Sequence, residues 1–169
     1  MSWLAGHDDL ADAGGLERVL GLRPDLLERY RAFYGALWDE AVLPTRLLEL
    51  CRLRIAGLNR CEAESAIAHA NSGVTIAERA SLECRELPAS VTDLERHVLD
   101  LASKVPFEIH GVEDDEAARL RDQLGDDGLV ALMIALPLFD MNCRLRLVLE
   151  IDPEAREVEQ PASRHGTLY

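Results

Sequence analysis

Basic residues are the first thing this chain is short of. Over 169 residues, 18 Lys and Arg stand against 31 Asp and Glu, a formal net charge of −13. Nucleic acids and anionic membrane surfaces both attract basic patches, so neither is an expected partner. The surface repels copies of itself, and only an apolar interface would overcome that repulsion. Long apolar runs are missing too. Residues 129–138 come nearest to the ~20 residues of a membrane span and fall short. The opening MSWLAGHDDLADAGG has neither the basic region nor the apolar run of a secretory leader. The cysteines, Cys51, Cys61, Cys84 and Cys143, form no Cys-x-x-Cys pair. Without a disulfide framework the expected compartment is a reducing cytoplasm. No His, Cys, Asp and Glu set has convincing zinc spacing, and there is no glycine-rich phosphate loop or nucleophile elbow. Neither metal nor cofactor is therefore expected. β-Branched and aromatic residues do not cluster with period two, which argues against a sheet protein.

What is present is helical. The length fits one domain, read as residues 1–152 with a polar tail over 153–169. A hydrophobic fraction of 48% is enough for a sizeable core. Residues 1–15 read as a loose lead-in. Pro24 suits the first position of a long helix, whose apolar face carries Leu26, Leu27, Tyr30, Phe33, Tyr34, Leu37 and Trp38. A second helix opens at Pro44 and is apolar almost all round, as a central or interface helix would be. Asn59 is placed to cap the helix that follows. Thr75–Glu78 and Thr92–Glu95 each match the capping box, in which side chains satisfy the free N–H groups of a helix start. Gly125 is expected to end one helix before another, and Pro137 to kink or split the last. Cys51, Cys84 and Cys143 have apolar neighbours and read as buried core thiols.

Residues 43–73, LPTRLLELCRLRIAGLNRCEAESAIAHANSG, carry the sharpest pattern. They resemble the core of the carboxymuconolactone decarboxylase and alkylhydroperoxidase D-like family. In that family a Glu precedes by twelve residues a Cys that opens a Cys-x-x-Cys-x-x-x-His helix. Glu49 and Cys61 stand at that spacing, and Gly73 keeps its family distance from Cys61. Glu64 occupies the second Cys position, and Ala68 the His position, with His69 one residue later. The resemblance spans roughly residues 20–152 and reaches Asn142 and Arg144 in the closing half. It implies an all-α helical bundle and a homo-oligomer, commonly a trimer or hexamer. In the family's redox branch the Cys pair reduces peroxides while a Glu and the His move protons. In its decarboxylase branch a Glu-x-x-x-His arrangement replaces the second Cys.

Each candidate site residue has two readings. Cys61 lies beside Arg60 at a helix start, which favours the reactive thiolate, while Glu62 and Glu64 oppose it. Otherwise it is a small buried residue. Glu49, on an apolar helix, is either a proton acceptor in a cavity shared with Cys61 or the ion-pair partner of Arg52, three residues on. Glu64 shares a helix face with Cys61 and is either an acid or base or a paired charge. His69, on a continuous helix, points about 140° away from Glu64 and toward Ser65 or solvent unless a π-bulge realigns it.

Three functions follow. The first is a thiol-dependent peroxidase-type oxidoreductase with Cys61 as its only motif thiol, resolved by an outside thiol or another Cys. The second is a lyase or isomerase on a small carboxylate or lactone, with Glu49 and Glu64 as acid and base. An acidic site suits an anion poorly unless Arg52, Arg54 or Arg144 turns inward. The third is a non-catalytic oligomeric member of the family that binds a small molecule.

Overall fold

The computed structural model describes residues 4, 6, 8–10 and 13–158. Part of the expected lead-in, and the tail from residue 159, lie outside the described residues. The chain is mostly helical. The helices are α1 (Gly15–Leu20), α2 (Pro24–Leu37), α3 (Thr45–Asn59), α4 (Glu62–Ser65), α5 (Ile76–Glu83), α6 (Asp93–Lys104) and α7 (Asp114–Val148). Two three-residue strands, β1 (Ile67–His69) and β2 (Arg156–Val158), form the one sheet among the described residues.

The composition of α3 explains its place. Apolar on nearly every side, it is surrounded by α5, α6 and α7. Leu47, Leu48, Leu50, Leu53 and Ile55 are each at most 2% exposed. Burial of side chains of this size stabilises by roughly 1.5–3 kcal/mol each. Gly57 lets α5 approach closely, because a Cβ there would sit 2.2 Å from the Leu82 carbonyl oxygen. Both capping boxes form at Thr75 and Thr92. Arg46 on α3 then ties the two helix starts together, with Nη2 2.6 Å from Glu78 and Nε 2.7 Å from Glu95. The Arg46 guanidinium holds the Glu78 carboxyl well below the usual carboxylate range.

Gly125 breaks α7 where expected, with φ 75° and ψ 172°. Pro137 does not split it, for Gly125 is the one residue with non-helical angles between Asp114 and Val148. The bond that Pro137 cannot make would have gone to Met133. Met133 is 37% exposed, on the outer side of the helix. By length and composition α7 could cross a membrane, and 44% of its most apolar window is buried inside the fold.

Two local expectations fail. Asn59 does not cap the next helix: its amide donates to the Ile55 carbonyl and to Asp140 Oδ1. The helix after Cys61 lasts only from Glu62 to Ser65 and gives way to β1, which pairs in parallel with β2, Ile67 opposite Arg156 and His69 opposite Val158. A neighbouring strand thus holds the start of the polar tail.

Candidate functional site

Arg60 closes α3 in the left-handed region, φ 54°, and turns the chain so that Cys61 becomes the residue capping α4. The Cys61 N–H donates to the Ala56 carbonyl at 2.9 Å. Its sulfur lies 3.7 Å from the carbonyl oxygen of Cys143, on α7. Cys61 is 1% exposed and lines a cavity of about 660 Å³ with Arg60, Glu62, Ser65 and Arg85. Its thiol is drawn below the ordinary value, chiefly by a hydrogen bond from the Cys143 thiol. The Glu64 N–H and the charge of Arg146 act in the same direction; burial and the Glu64 carboxylate oppose them. Sharing that hydrogen bond, together with burial, pushes the Cys143 thiol far up. Glu64 thus opposes ionisation as its charge requires, but two arginines neutralise it.

Those arginines belong to a buried network. Arg52, 0% exposed, donates from Nε to Glu49 Oε2 at 2.8 Å and from Nη2 to Glu49 Oε1 at 2.9 Å. Its Nη1 reaches Glu64 Oε1 at 3.0 Å and the Glu64 carbonyl at 2.6 Å, and Nη2 also reaches the Ile67 carbonyl. Arg146 holds the other Glu64 oxygen through Nε. Arg79 adds a bond to Glu49 Oε1 at 3.1 Å and two to the carbonyls of Ser65 and Ile67. Glu49 is therefore the buried ion-pair partner of Arg52. Its oxygens are taken by Arg52, Arg79 and the His69 N–H, and it does not open on the cavity that Cys61 lines. The expectation of a shared cavity is corrected on that point. Isolated charges cannot persist at zero exposure, and Glu49 is carried by paired, hydrogen-bonded cations.

His69 sits elsewhere than a helix would put it. As the last residue of β1 it is 4% exposed, contacting neither Ser65 nor solvent. Its ring stacks on Trp38, centroids 3.6 Å apart and planes 11° apart. Nε2 lies 3.4 Å from the Tyr34 hydroxyl, and Nδ1 is buried without a partner. Burial, then the charges of Arg52 and Arg79, lower its pKa to about 3 despite Glu64, so the ring is neutral. His69, Tyr30, Tyr34, Glu64, Asn142 and Arg146 line a second cavity of about 100 Å³. There the Tyr30 hydroxyl donates to Asn142 Oδ1 at 3.2 Å. Burial raises both tyrosine pKa values, so each hydroxyl stays a neutral donor.

Of the four expected residues, Glu49, Glu64 and His69 come together around Arg52, while Cys61 opens on the other cavity. Sequence reasoning missed the roles of Trp38, Tyr34, Tyr30, Arg79, Arg146 and Cys143. Tyr30, Tyr34 and Trp38 recur every four residues on α2, a row of polar-tipped aromatics that was legible only as a core face. Asn142 and Arg146 share a face of α7 by the same spacing. Cys84 is corrected as well: it is exposed at the end of α5, whereas Cys51 and Cys143 are buried as expected. Among the described residues, no group of three or more His, Cys, Asp or Glu side chains could hold a metal ion. Neither a scan of protein-family models nor a search of curated proteins finds a match to the chain.

Proposed function

We propose that this chain is a carboxymuconolactone decarboxylase-like, alkylhydroperoxidase D-like protein acting as a thiol-dependent peroxidase-type oxidoreductase at Cys61. The observation that carries the reading is the setting of Cys61: a thiol held below its ordinary pKa that lines a cavity of about 660 Å³. The thiolate is the nucleophilic form, and a depressed pKa raises its share relative to an ordinary thiol. Its attack on the outer oxygen of a hydroperoxide breaks the O–O bond. Cys61 becomes a sulfenic acid, and the alcohol leaves with a proton from solvent. Glu49 and Glu64 stay in their ion pairs and hold the frame around the thiol. The test is peroxide consumption by the reduced protein with a dithiol reductant. Turnover that Cys61→Ser abolishes supports the reading; turnover unchanged in Cys61→Ser contradicts it.

A second reading, a binding or lyase-type site for a small carboxylate or lactone, has its own observation. Arg52 does turn inward, joined by Arg79 and Arg146, so three cations face the two carboxylates Glu49 and Glu64. The cluster carries one surplus positive charge beside the cavity of about 100 Å³. A melting temperature raised by acetate or propionate but not by acetamide would favour this reading, and no shift with any of the three would end it.

The proposal includes a cytoplasmic homo-oligomer, trimeric or hexameric. Its physical motive moves from α3, which its own subunit covers, to α7. Val130, Ile134, Met141 and Val148 are 58%, 41%, 39% and 56% exposed and fall on one side of that helix, away from the core.

A further inference from the structure

Resting on the thiol reading above, we propose that Cys61 and Cys143 are a redox pair, in which Cys143 resolves oxidised Cys61 by forming a disulfide from the start of α4 to α7. The two residues are 82 positions apart, and only the packing of α4 on α7 brings them together. The Cys61 sulfur lies 3.7 Å from the carbonyl oxygen of Cys143, so the side chain of one residue touches the backbone of the other. Both belong to one apolar core cluster, 1% and 0% exposed. Cys84 is exposed at the end of α5, between Glu83 and Arg85 of the cavity that Cys61 lines, and is the competing partner, whereas Glu64, the helix-face neighbour of Cys61, has no sulfur.

The chemistry closes with those atoms and a hydroperoxide. Cys61 thiolate, ROOH and a proton give Cys61 sulfenic acid and ROH. The Cys143 sulfur then attacks the Cys61 sulfur. The S–O bond breaks, and the departing hydroxide takes the Cys143 proton to form water. A dithiol reductant finally returns both cysteines to thiols and leaves as its own disulfide. Bonding distance for two sulfurs is about 2.05 Å, so the Cys61 sulfur must turn from the Cys143 carbonyl oxygen to its side chain. The Cys61 side can move: α4 is four residues long, flanked by left-handed Arg60 and a three-residue strand. The α7 side is continuous helix on either side of Cys143.

The experiment uses the full chain, reduced and then treated with one equivalent of hydrogen peroxide, with free thiols blocked and peptides separated without reductant. A Cys61–Cys143 linked peptide that dithiothreitol reverses supports the pair. Cys143→Ala, chosen beside Cys143→Ser in case the hydroxyl disturbs the core, is then expected to leave Cys61 as a sulfenic acid that dimedone traps. Dimedone-labelled Cys61 in the wild type with no linked peptide overturns the pair and leaves the thiol reading standing. Cys61 linked to Cys51, to Cys84 or to a second chain also overturns it. Cys61 unreactive toward peroxide overturns the thiol reading itself.

Discussion

At the residue scale, the buried charges behave as a unit. Glu49→Gln removes half of a fully desolvated pair and leaves Arg52 and Arg79 short of a counter-charge. Breaking such a pair from one side costs about 3–5 kcal/mol. The expected result is a lower urea midpoint with the reactivity of Cys61 nearly unchanged; an unchanged midpoint would show that Arg52 is held by other groups. His69 carries a pH signature with a definite sign. Its folded pKa of about 3 is below the ordinary imidazole value near 6.5, so between those limits the unfolded chain binds the extra proton. The contribution is complete above the unfolded value and is lost as pH falls, by about 2 kcal/mol at pH 5. Urea unfolding at pH 7 and pH 5 is expected to show this loss in the wild type and much less of it in His69→Gln. Equal losses in the two proteins would contradict the buried, neutral ring. The Glu49–Arg52 pair was legible as a three-residue spacing. The position of His69 was not, because it depends on where α4 stops.

At the element scale, local signals served where the determinants are local. Pro24, Pro44, the two capping boxes and Gly125 each mark a helix boundary, since each acts through its own backbone or a side chain three residues away. The β1–β2 pair was illegible for the opposite reason. It joins residues 67–69 to residues 156–158, and neither three-residue stretch reads as a strand alone. Of the two outcomes expected of Pro137, splitting does not occur, because losing one backbone bond need not end a helix. Gly57 gives a test of element packing. Its absent Cβ leaves room for Leu82, so Gly57→Ala must push α3 from α5, at a cost of about 1–3 kcal/mol. A Gly57→Ala protein as stable as the wild type would mean that the two helices can separate freely.

At the scale of the whole molecule, α7 serves two surfaces. One face carries Leu132, Leu136, Phe139 and Cys143 into the core, and the other carries the exposed Val130, Ile134, Met141 and Val148. From Val130 to Val148 that stripe runs about 27 Å along the helix. With a net charge of −13 working against association, an apolar stripe of this length is the feature that would hold copies together. Light scattering is expected to give a mass well above the 18.8 kDa subunit, with Ile134→Glu reducing it to the subunit value and keeping the helical circular dichroism. A wild-type monomer at micromolar concentration would contradict this. The twelve-residue spacing of Glu49 and Cys61 did not show that Glu49 lies outside the cavity that Cys61 lines. That Arg52 and Arg146 neutralise Glu64, and that Cys143 lies against Cys61, depends on α3, α4 and α7 meeting in space, which no local pattern records.

Cys61 is proposed to be more acidic than an ordinary thiol because Cys143 and Arg146 stabilise its charge. Thiolate absorbance near 240 nm, titrated in the wild type and in Cys61→Ser, isolates its ionisation without requiring a reagent to enter the cavity. The difference curve is predicted to have its midpoint below the ordinary thiol value of about 8.5 and to move upward in Cys143→Ala. A midpoint at or above that value, unmoved by Cys143→Ala, would contradict the account.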